Sequence, residues 1–442
     1  MKTDSMLMTE GKINSKIIKF AFPIFWGNLF QQLYNMVDAV IVGNFVGEEA
    51  LAAVSSTGSL IFLLVGFFGG LFGGCGVVIS RYFGAKDNDN VKKSVANAVA
   101  FGITAGIILT IIGTVFTPYI LKLMGTPDNV FGGAADYIRT YFSGIIFVVL
   151  YNTASGIFQA VGDSKHPLYY LIVSSITNVV LDILFVAVFN MGVKGAAFAT
   201  VISQAVSVIL AFSRLIKIKD IYRVNIKEIK FDPVLLKEML KVGIPMGVQN
   251  SVIAIANVVV QSNINKFGSV AMAGCGSYSK IEGFAFIPVT SFAMSMTTFV
   301  SQNLGAKEYD RAKKGTKFGI ITACLLAEVV GIIFVIFAPF LISLFGKEPN
   351  VILLGTAQAR TIAPFYFLLA FSHVVAGILR GAGKSTIPMF VMLICWCVIR
   401  VSYITVATHF ISDIRVIFWA YPLTWFLSST IFLYCYKKTN WI

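Results

Sequence analysis

The sequence predicts an all-α polytopic membrane protein with twelve transmembrane helices in two six-helix lobes, related by a parallel pseudo-two-fold repeat. Three observations predict this fold class: an apolar composition, long apolar segments that recur along the chain, and an internal duplication. The 442 residues are 57% hydrophobic and only 13% charged, whereas a soluble domain is usually about 25% charged. The composition therefore indicates a chain that folds in a lipid bilayer.

The apolar segments have the length of membrane-spanning helices. About twelve runs of roughly 20 residues occur between residues 16 and 436, and a helix that crosses a bilayer needs about that length. The strands of an outer-membrane barrel are shorter and alternate in polarity, which excludes a barrel.

The positive charge follows the membrane topology. The net charge is +14, and the basic residues cluster in alternate loops, around Lys12, Lys86, residues 213–241, Lys313 and Lys437. Cytoplasmic loops of membrane proteins carry such an excess of lysine and arginine. We therefore expect a multi-pass protein with both termini in the cytoplasm. We expect its membrane to be a bacterial plasma (inner) membrane. Because orientation accounts for the charge, we expect no nucleic-acid partner.

The second half of the sequence repeats the first. "SRYFGAKDNDNVKKS" begins at Ser80 and "SQNLGAKEYDRAKKG" at Ser301, while "GIFQAVGDSKHP" begins at Gly156 and "GILRGAGKSTIP" at Gly377. Both pairs are 221 residues apart, which is half of the chain. An even number of spans in each half makes the repeats parallel. We expect an N-terminal lobe over residues 1–217, a cytoplasmic linker over 218–237 and a C-terminal lobe over 238–442.

Polar residues form a stripe along the first predicted span. Asn28, Gln31, Asn35 and Asp38 follow one another at steps of three and four, so they share one helical face, and Tyr34 lies beside them. An ionisable side chain in a span usually faces the interior of a bundle or an aqueous cavity and marks a functional site. The stripe therefore predicts a polar interior surface in the first lobe.

The fifth and sixth spans add polar groups to this lobe: Asn178, Asp182, Thr200 and Gln204. Two acids, an amide and a hydroxyl can coordinate a small hard cation through oxygen. Alternatively, they can share a proton, because burial and a second nearby acid both favour the neutral form of a carboxyl group. A third interpretation is a cluster of interhelical hydrogen bonds that only stabilises the lobe.

A substrate cavity is predicted from polar, aromatic and methionine side chains, which give promiscuous binding surfaces their adaptability. Its predicted residues are Gln31, Tyr34, Asn35, Tyr141, Asn152, Gln204, Glu282 and Met294. The second half has the uncharged Val260 and Gln261 in the region that corresponds to Asp38. The sequence leaves open whether Lys280 and Glu282 take part.

Enzymatic chemistry is not predicted. The six cysteines show neither disulfide nor metal spacing, and the sequence contains no pairing of a nucleophile with a base. We expect no enzyme activity and no cofactor.

Three segments together carry a family resemblance: "AFPIFWGNLFQQLYNMVDAVIVG" in the first span, "LGAKEYDRAKKG" with its counterpart in the first half, and "QAVGDSKHP" after the fourth span. With them, the whole chain resembles the multidrug and toxic compound extrusion (MATE) family. The resemblance implies two six-helix lobes around a central cavity. It also implies a secondary active antiporter that exports organic cations or amphipathic drugs in exchange for H⁺ or Na⁺, by alternating access.

The resemblance also implies roles for individual residues. The family's essential first-span aspartate falls on Asp38, and its helix-bending proline falls on Pro23. Its fifth-span asparagine and aspartate fall on Asn178 and Asp182, and its sixth-span threonine falls on Thr200. If the coupling ion is Na⁺, Asp38, Asn178 and Asp182 are the implied ligands.

One departure from the family pattern concerns the second half. Sodium-coupled members of one branch carry a glutamate in the seventh span and an aspartate in the tenth. Here the seventh span has Gln249, Asn250 and Ser251, and the tenth has His373. The first-half cluster is therefore the better candidate for ion coupling.

The partners implied are small cationic or amphipathic substrates and the lipid bilayer, and we expect a monomer. The alternative function is a lipid-linked oligosaccharide flippase of the same superfamily. Such a flippase needs a cationic cavity for pyrophosphate, whereas the predicted first-lobe cavity is acidic.

Overall fold

The computed structural model describes residues 7–46, 48–123, 126, 128–439 and 441, which are mainly helical and include no strand. The α-helices are α1 (Ile13–Phe45), α2 (Glu48–Gly84), α3 (Asn88–Leu123), α4 (Asp128–Ser143), α5 (Ile145–Ala160), α6 (Lys165–Asp182), α7 (Gly192–Lys217), α8 (Pro233–Asn265), α9 (Ser269–Gly305), α10 (Tyr309–Ser343), α11 (Pro349–Ile362), α12 (Tyr366–Gly381), α13 (Thr386–Met392), α14 (Arg400–Phe410) and α15 (Arg415–Lys438). Two π-helical segments, Ile183–Val188 and Leu393–Ile399, continue α6 and α13.

Most of these helices are suited to cross a membrane. Within the described residues, ten helical segments are long and apolar enough, and the pair α4 and α5, bent by 47°, adds an eleventh if it forms one span. The first helix is not among them, because its polar stripe lowers its mean hydropathy. The predicted all-α polytopic class is confirmed.

The chain forms two compact units. Unit 1 contains Leu7 and Trp26–Ile244, and unit 2 contains Met8–Phe25 and Pro245–Ile442. One division falls inside α1, near Pro23, and the other falls inside α8, at Pro245. A proline inside a helix removes one backbone hydrogen bond. Each of these helices therefore has a weak point close to where the chain passes from one unit to the other.

In unit 1, the start of α8 is bound to α2 and α3. Gly243 and Gly74 are in such close contact that a Cβ atom on Gly74 would lie 2.4 Å from the Gly243 Cα. The Tyr82 hydroxyl donates to Glu238 over 3.1 Å, and the Asn97 amide donates to the Asp232 carbonyl over 3.1 Å. These contacts hold the first part of α8 in unit 1.

In unit 2, the segment before α1 is bound to α9 and α10. The Met8 amide donates to Gln302 over 2.7 Å. The Arg311 guanidinium donates to the carbonyls of Met8, Glu10 and Gly11 over 3.1, 3.1 and 2.7 Å. Both long helices that pass between the units therefore have anchored beginnings.

We expect Gly377→Ala to destabilise unit 2, because α12 packs closely on α9 at this glycine. A Cβ atom there would lie 2.4 Å from the Ala293 carbonyl oxygen and 3.2 Å from its Cα, and overpacking costs about 1–3 kcal/mol. The midpoint of thermal unfolding in detergent should fall. The control is Gly276→Ala, whose added methyl group meets no described atom within 4 Å. An unchanged midpoint for Gly377→Ala would contradict the close packing.

Candidate functional site

Helices α1, α6 and α7 come together in unit 1. Ile41 and Val42 of α1 share a buried cluster with Val186, which follows α6, and with Ala196 of α7. At the other end of this stretch of α1, a methyl group on Gly27 would lie 3.6 Å from the Leu171 side chain of α6. Residues 27–42 of α1 therefore run along α6, which brings Asp38 to the end of α6 that carries Asp182.

Asp38 and Asp182 form a carboxyl pair in this contact. Asp182 is fully buried and Asp38 is half-buried, and their side chains lie within hydrogen-bonding reach of each other. Oδ1 of Asp38 and both carboxyl oxygens of Asp182 have no hydrogen-bond partner among the described residues. Two ionised carboxylates cannot hydrogen-bond to each other because neither has a proton to donate. Their like charges also repel each other when they are buried. A proton or a small cation at the pair would relieve this repulsion.

Asn178 supplies further free polar atoms one helical turn before Asp182. Its side chain is 1% exposed, and neither its amide nitrogen nor its amide oxygen has a hydrogen-bond partner in the part of the chain that the structure describes. Buried polar groups are rarely left unpaired. The amide oxygen and the carboxylate oxygens are the kind of ligands that a small hard cation prefers. The described residues contain no group of three His, Cys, Asp or Glu side chains that could hold a metal ion.

The polar face of α7 is largely occupied by hydrogen bonds within and between helices. The Thr200 hydroxyl donates to the Ala196 carbonyl over 3.1 Å, and the Ser203 hydroxyl donates to the Thr200 carbonyl over 2.8 Å. Ser174 of α6 donates to the Ser203 carbonyl over 2.8 Å. Thr200 can therefore offer its hydroxyl oxygen as an acceptor, and the buried, unpartnered Oε1 of Gln204 is also available among the described residues.

Tyrosines surround the carboxyl pair. Tyr34 and Tyr137 are electrostatic neighbours of both carboxyls, and Tyr34 is hydrogen-bonded to Gln31. The Tyr137 and Tyr141 rings stack with centroids 6.4 Å apart and planes 15° apart. The sequence analysis did not include Tyr137. Its position four residues before Tyr141, on the same face of α4, is the signal that could have indicated it.

The other predicted cavity residues have different surroundings. In unit 1, Asn35 is exposed. Asn152 lines a small cavity among apolar side chains such as Phe72 and Phe142. Its amide donates to the Val148 carbonyl. The following predicted residues belong to unit 2: Glu282, Met294 and Pro23. The structure therefore gathers Asp38, Asp182, Tyr34 and Tyr141 in unit 1, and it places Glu282 in a separate cluster of unit 2.

Comparisons with known proteins agree with this architecture. The MatE family model matches residues 23–184 and 245–406, one region in each half. The chain is 29% identical over 430 residues to the probable multidrug resistance protein YoeA of Bacillus subtilis, across 96% of this chain and 93% of that protein. It is 24% identical over 394 residues to the multidrug export protein MepA of Staphylococcus aureus, across 87% and 85% of the two chains.

A solved structure shows the same fold. The outward-facing conformation of a multidrug resistance MATE family transporter of the MOP superfamily superposes with a TM-score of 0.92, at 22% identity, over 99% of this chain and 98% of that chain. The first region matched by the family model, residues 23–184, includes Asp38, Asn178 and Asp182 of the carboxyl site. Since the family model covers most of both halves, the chain belongs to the MatE family and is a MATE transporter rather than an enzyme.

Proposed function

We propose that the protein is a secondary active antiporter that exports organic cations or amphipathic drugs in exchange for H⁺ or Na⁺, by alternating access. The observation that supports this most strongly is the Asp38–Asp182 pair with its buried, unpartnered carboxyl oxygens among the described residues. The multidrug relatives from bacteria support the substrate class and a plasma-membrane location. The arrangement of basic loops supports cytoplasmic termini.

The carboxyl pair couples the ion to the cargo through charge. Among the described residues, neither carboxyl forms a salt bridge with a lysine or arginine, so the ionised pair carries two negative charges and attracts a cationic compound. A proton or a sodium ion at the pair removes one of these charges and weakens that attraction. Cargo and coupling ion therefore exclude each other, which is the requirement for exchange.

Asn178, one turn before Asp182 on α6, and Thr200 on the neighbouring α7 complete the ion site, since each side chain has an oxygen that can accept. Tyr34 and Tyr141 provide an aromatic wall for an apolar cation, whose charge is attracted to the face of an aromatic ring. The alternative of a lipid-linked oligosaccharide flippase is not favoured, because an acidic site repels pyrophosphate.

Pro23 acts as the hinge of α1. It lies three residues before the point at which α1 passes from unit 2 to unit 1, and the missing backbone hydrogen bond lowers the cost of bending there. A bend would move Asp38 relative to the anchored start of α1. The energy available is sufficient, because one charge that crosses 100 mV contributes about 2.3 kcal/mol.

Transport in proteoliposomes tests this proposal and identifies the ion. Ethidium serves as a monovalent cationic probe, and a pH gradient and a sodium gradient are imposed separately with the membrane potential clamped. We expect one of the two gradients to drive ethidium movement against its own gradient. Protein-free liposomes are the control. Ethidium movement that responds to neither gradient would contradict antiport, and a fluorescent lipid translocated instead would support the flippase.

A further inference from the structure

Unit 2 contains its own buried cluster of charged and phenolic groups, contributed by α9, α12, α14 and α15. Tyr278 and Glu282 lie one turn apart on α9, and the Tyr278 hydroxyl donates to Glu282 Oε1 over 3.1 Å. The Tyr278 and Tyr366 hydroxyls are 2.8 Å apart. While Glu282 is ionised, the one hydrogen of the Tyr278 hydroxyl is donated to Glu282, so Tyr366 is the donor to Tyr278. The hydrogen bonds therefore run in one direction and end on the carboxylate.

Arg400 provides a fixed positive charge next to this chain of hydrogen bonds. Its side chain is 4% exposed, and its Nε and Nη2 atoms donate to the Thr424 hydroxyl over 3.0 and 2.8 Å. The guanidinium lies over the Tyr421 ring, 4.4 Å from the centroid, and over the Trp396 ring, 5.4 Å from the centroid. These contacts hold a group that cannot lose its proton under ordinary conditions.

Glu282 is the carboxyl group that faces Arg400 electrostatically, yet the two do not form a salt bridge within 4.0 Å. Among the described residues, only Tyr278 hydrogen-bonds the Glu282 side chain, which is half-buried. The titratable groups that face it are Tyr278, Tyr366, Arg400 and Tyr421. Lys280 lies over the Phe345 ring instead, 5.4 Å from its centroid.

We infer that Glu282 is a second proton-binding site, in unit 2, that is linked to the binding of cationic cargo. The ionised carboxylate balances the charge of Arg400, so the cluster is neutral and admits a cation. A proton from water that adds to Glu282 forms the neutral acid and leaves Arg400 uncompensated, so the cluster repels a cation. This inference rests on the proposed exchange of ions for organic cations, but it uses a different set of residues.

The test uses a pH-indicator dye to count the protons that are released when ethidium binds. The purified full-length protein is kept in weakly buffered detergent solution. Ethidium should displace the proton from Glu282, so Glu282→Gln should release about one proton fewer per bound ethidium than the wild type. The affinity of Glu282→Gln for ethidium should also fall about tenfold, within the range of typical coupling between sites. Tyr278→Phe keeps the acid but removes its donor, and it should lower the affinity by a smaller factor.

The matched control is Glu328→Gln, which removes another partly buried glutamate of unit 2 that does not face Arg400. This variant should release as many protons as the wild type. Equal proton release by Glu282→Gln and the wild type would overturn the inference. If Asp38→Asn loses proton release and Glu282→Gln does not, the proposed antiport stands and only the site at Glu282 is excluded. No ethidium binding by the wild type would overturn both proposals.

Discussion

Asp38→Asn should abolish ion-driven efflux while the protein still folds and reaches the membrane. Asparagine has nearly the shape of aspartate, so the packing of α1 against α6 and α7 should survive. It can neither lose a proton nor supply a negative charge, and Asp182 would be left with an amide beside it. The site would then present a single negative charge, that of Asp182, to a cationic compound. The coupling ion could no longer switch the site between two negative charges and one. The measurement is ethidium efflux from energised cells that express the variant, with the amount of folded protein determined by fluorescence-detected gel filtration.

The matched control for this variant is Asp136→Asn. Asp136 is also an acid of unit 1, but it is exposed and pairs with Lys194 over 3.1 Å, and surface pairs of this kind contribute little to stability. It should leave efflux unchanged. If Asp38→Asn retained coupled efflux at the level of Asp136→Asn, Asp38 would have no part in the mechanism.

Asp182→Asn should reduce coupled efflux about tenfold or more, which is the range expected when one of two coupled sites is removed. The double variant Asp38→Asn with Asp182→Asn should be no worse than Asp38→Asn alone, because residues that act as one unit give non-additive effects. Because Asp38→Asn leaves no efflux from which a further loss could be measured, the complete cycle uses the loss of ethidium affinity that the coupling ion causes, measured in the wild type, the two single variants and the double variant.

A separate control addresses disturbance of α6 itself. Ser175→Ala removes a buried hydroxyl that bonds within its own helix, over 2.8 Å to the Leu171 carbonyl, and it should not change the coupling. Losses that add fully in the double variant would mean that Asp38 and Asp182 act independently, which would contradict a shared ion site.

The acid pair could be predicted because its determinants are local. The polar stripe that ends at Asp38 and the four-residue spacing of Asn178 and Asp182 each define one face of a helix in an apolar environment, where a charged group must face the protein interior. The apolar runs placed these two faces on the first and the fifth span. The hydrophobic pattern also predicted the all-α class, since each span is decided by its own length and polarity.

Other features depend on contacts between distant residues. The contact between Met8 and Arg311 joins residues 303 positions apart, so the sequence pattern does not indicate that the segment before α1 is anchored in unit 2. Tyr278 and Tyr366 are 88 positions apart, and neither position looks different from any other tyrosine in a span. In the sequence, Arg400 is only a charged residue within an apolar span, because its partners Thr424 and Tyr421 come from a different helix.

The account depends most on the claim that coupling ion and cargo compete at the Asp38–Asp182 pair. Equilibrium binding of ethidium to the detergent-solubilised protein, followed by fluorescence polarisation while pH and sodium concentration are varied in turn, tests this most directly. The wild type should bind ethidium more weakly as the concentration of the coupling ion, H⁺ or Na⁺, increases. The variant that lacks both carboxyls should lose this sensitivity apart from the part of the pH response that Glu282 contributes. Undiminished competition in this double variant would show that the exchange takes place elsewhere in the protein.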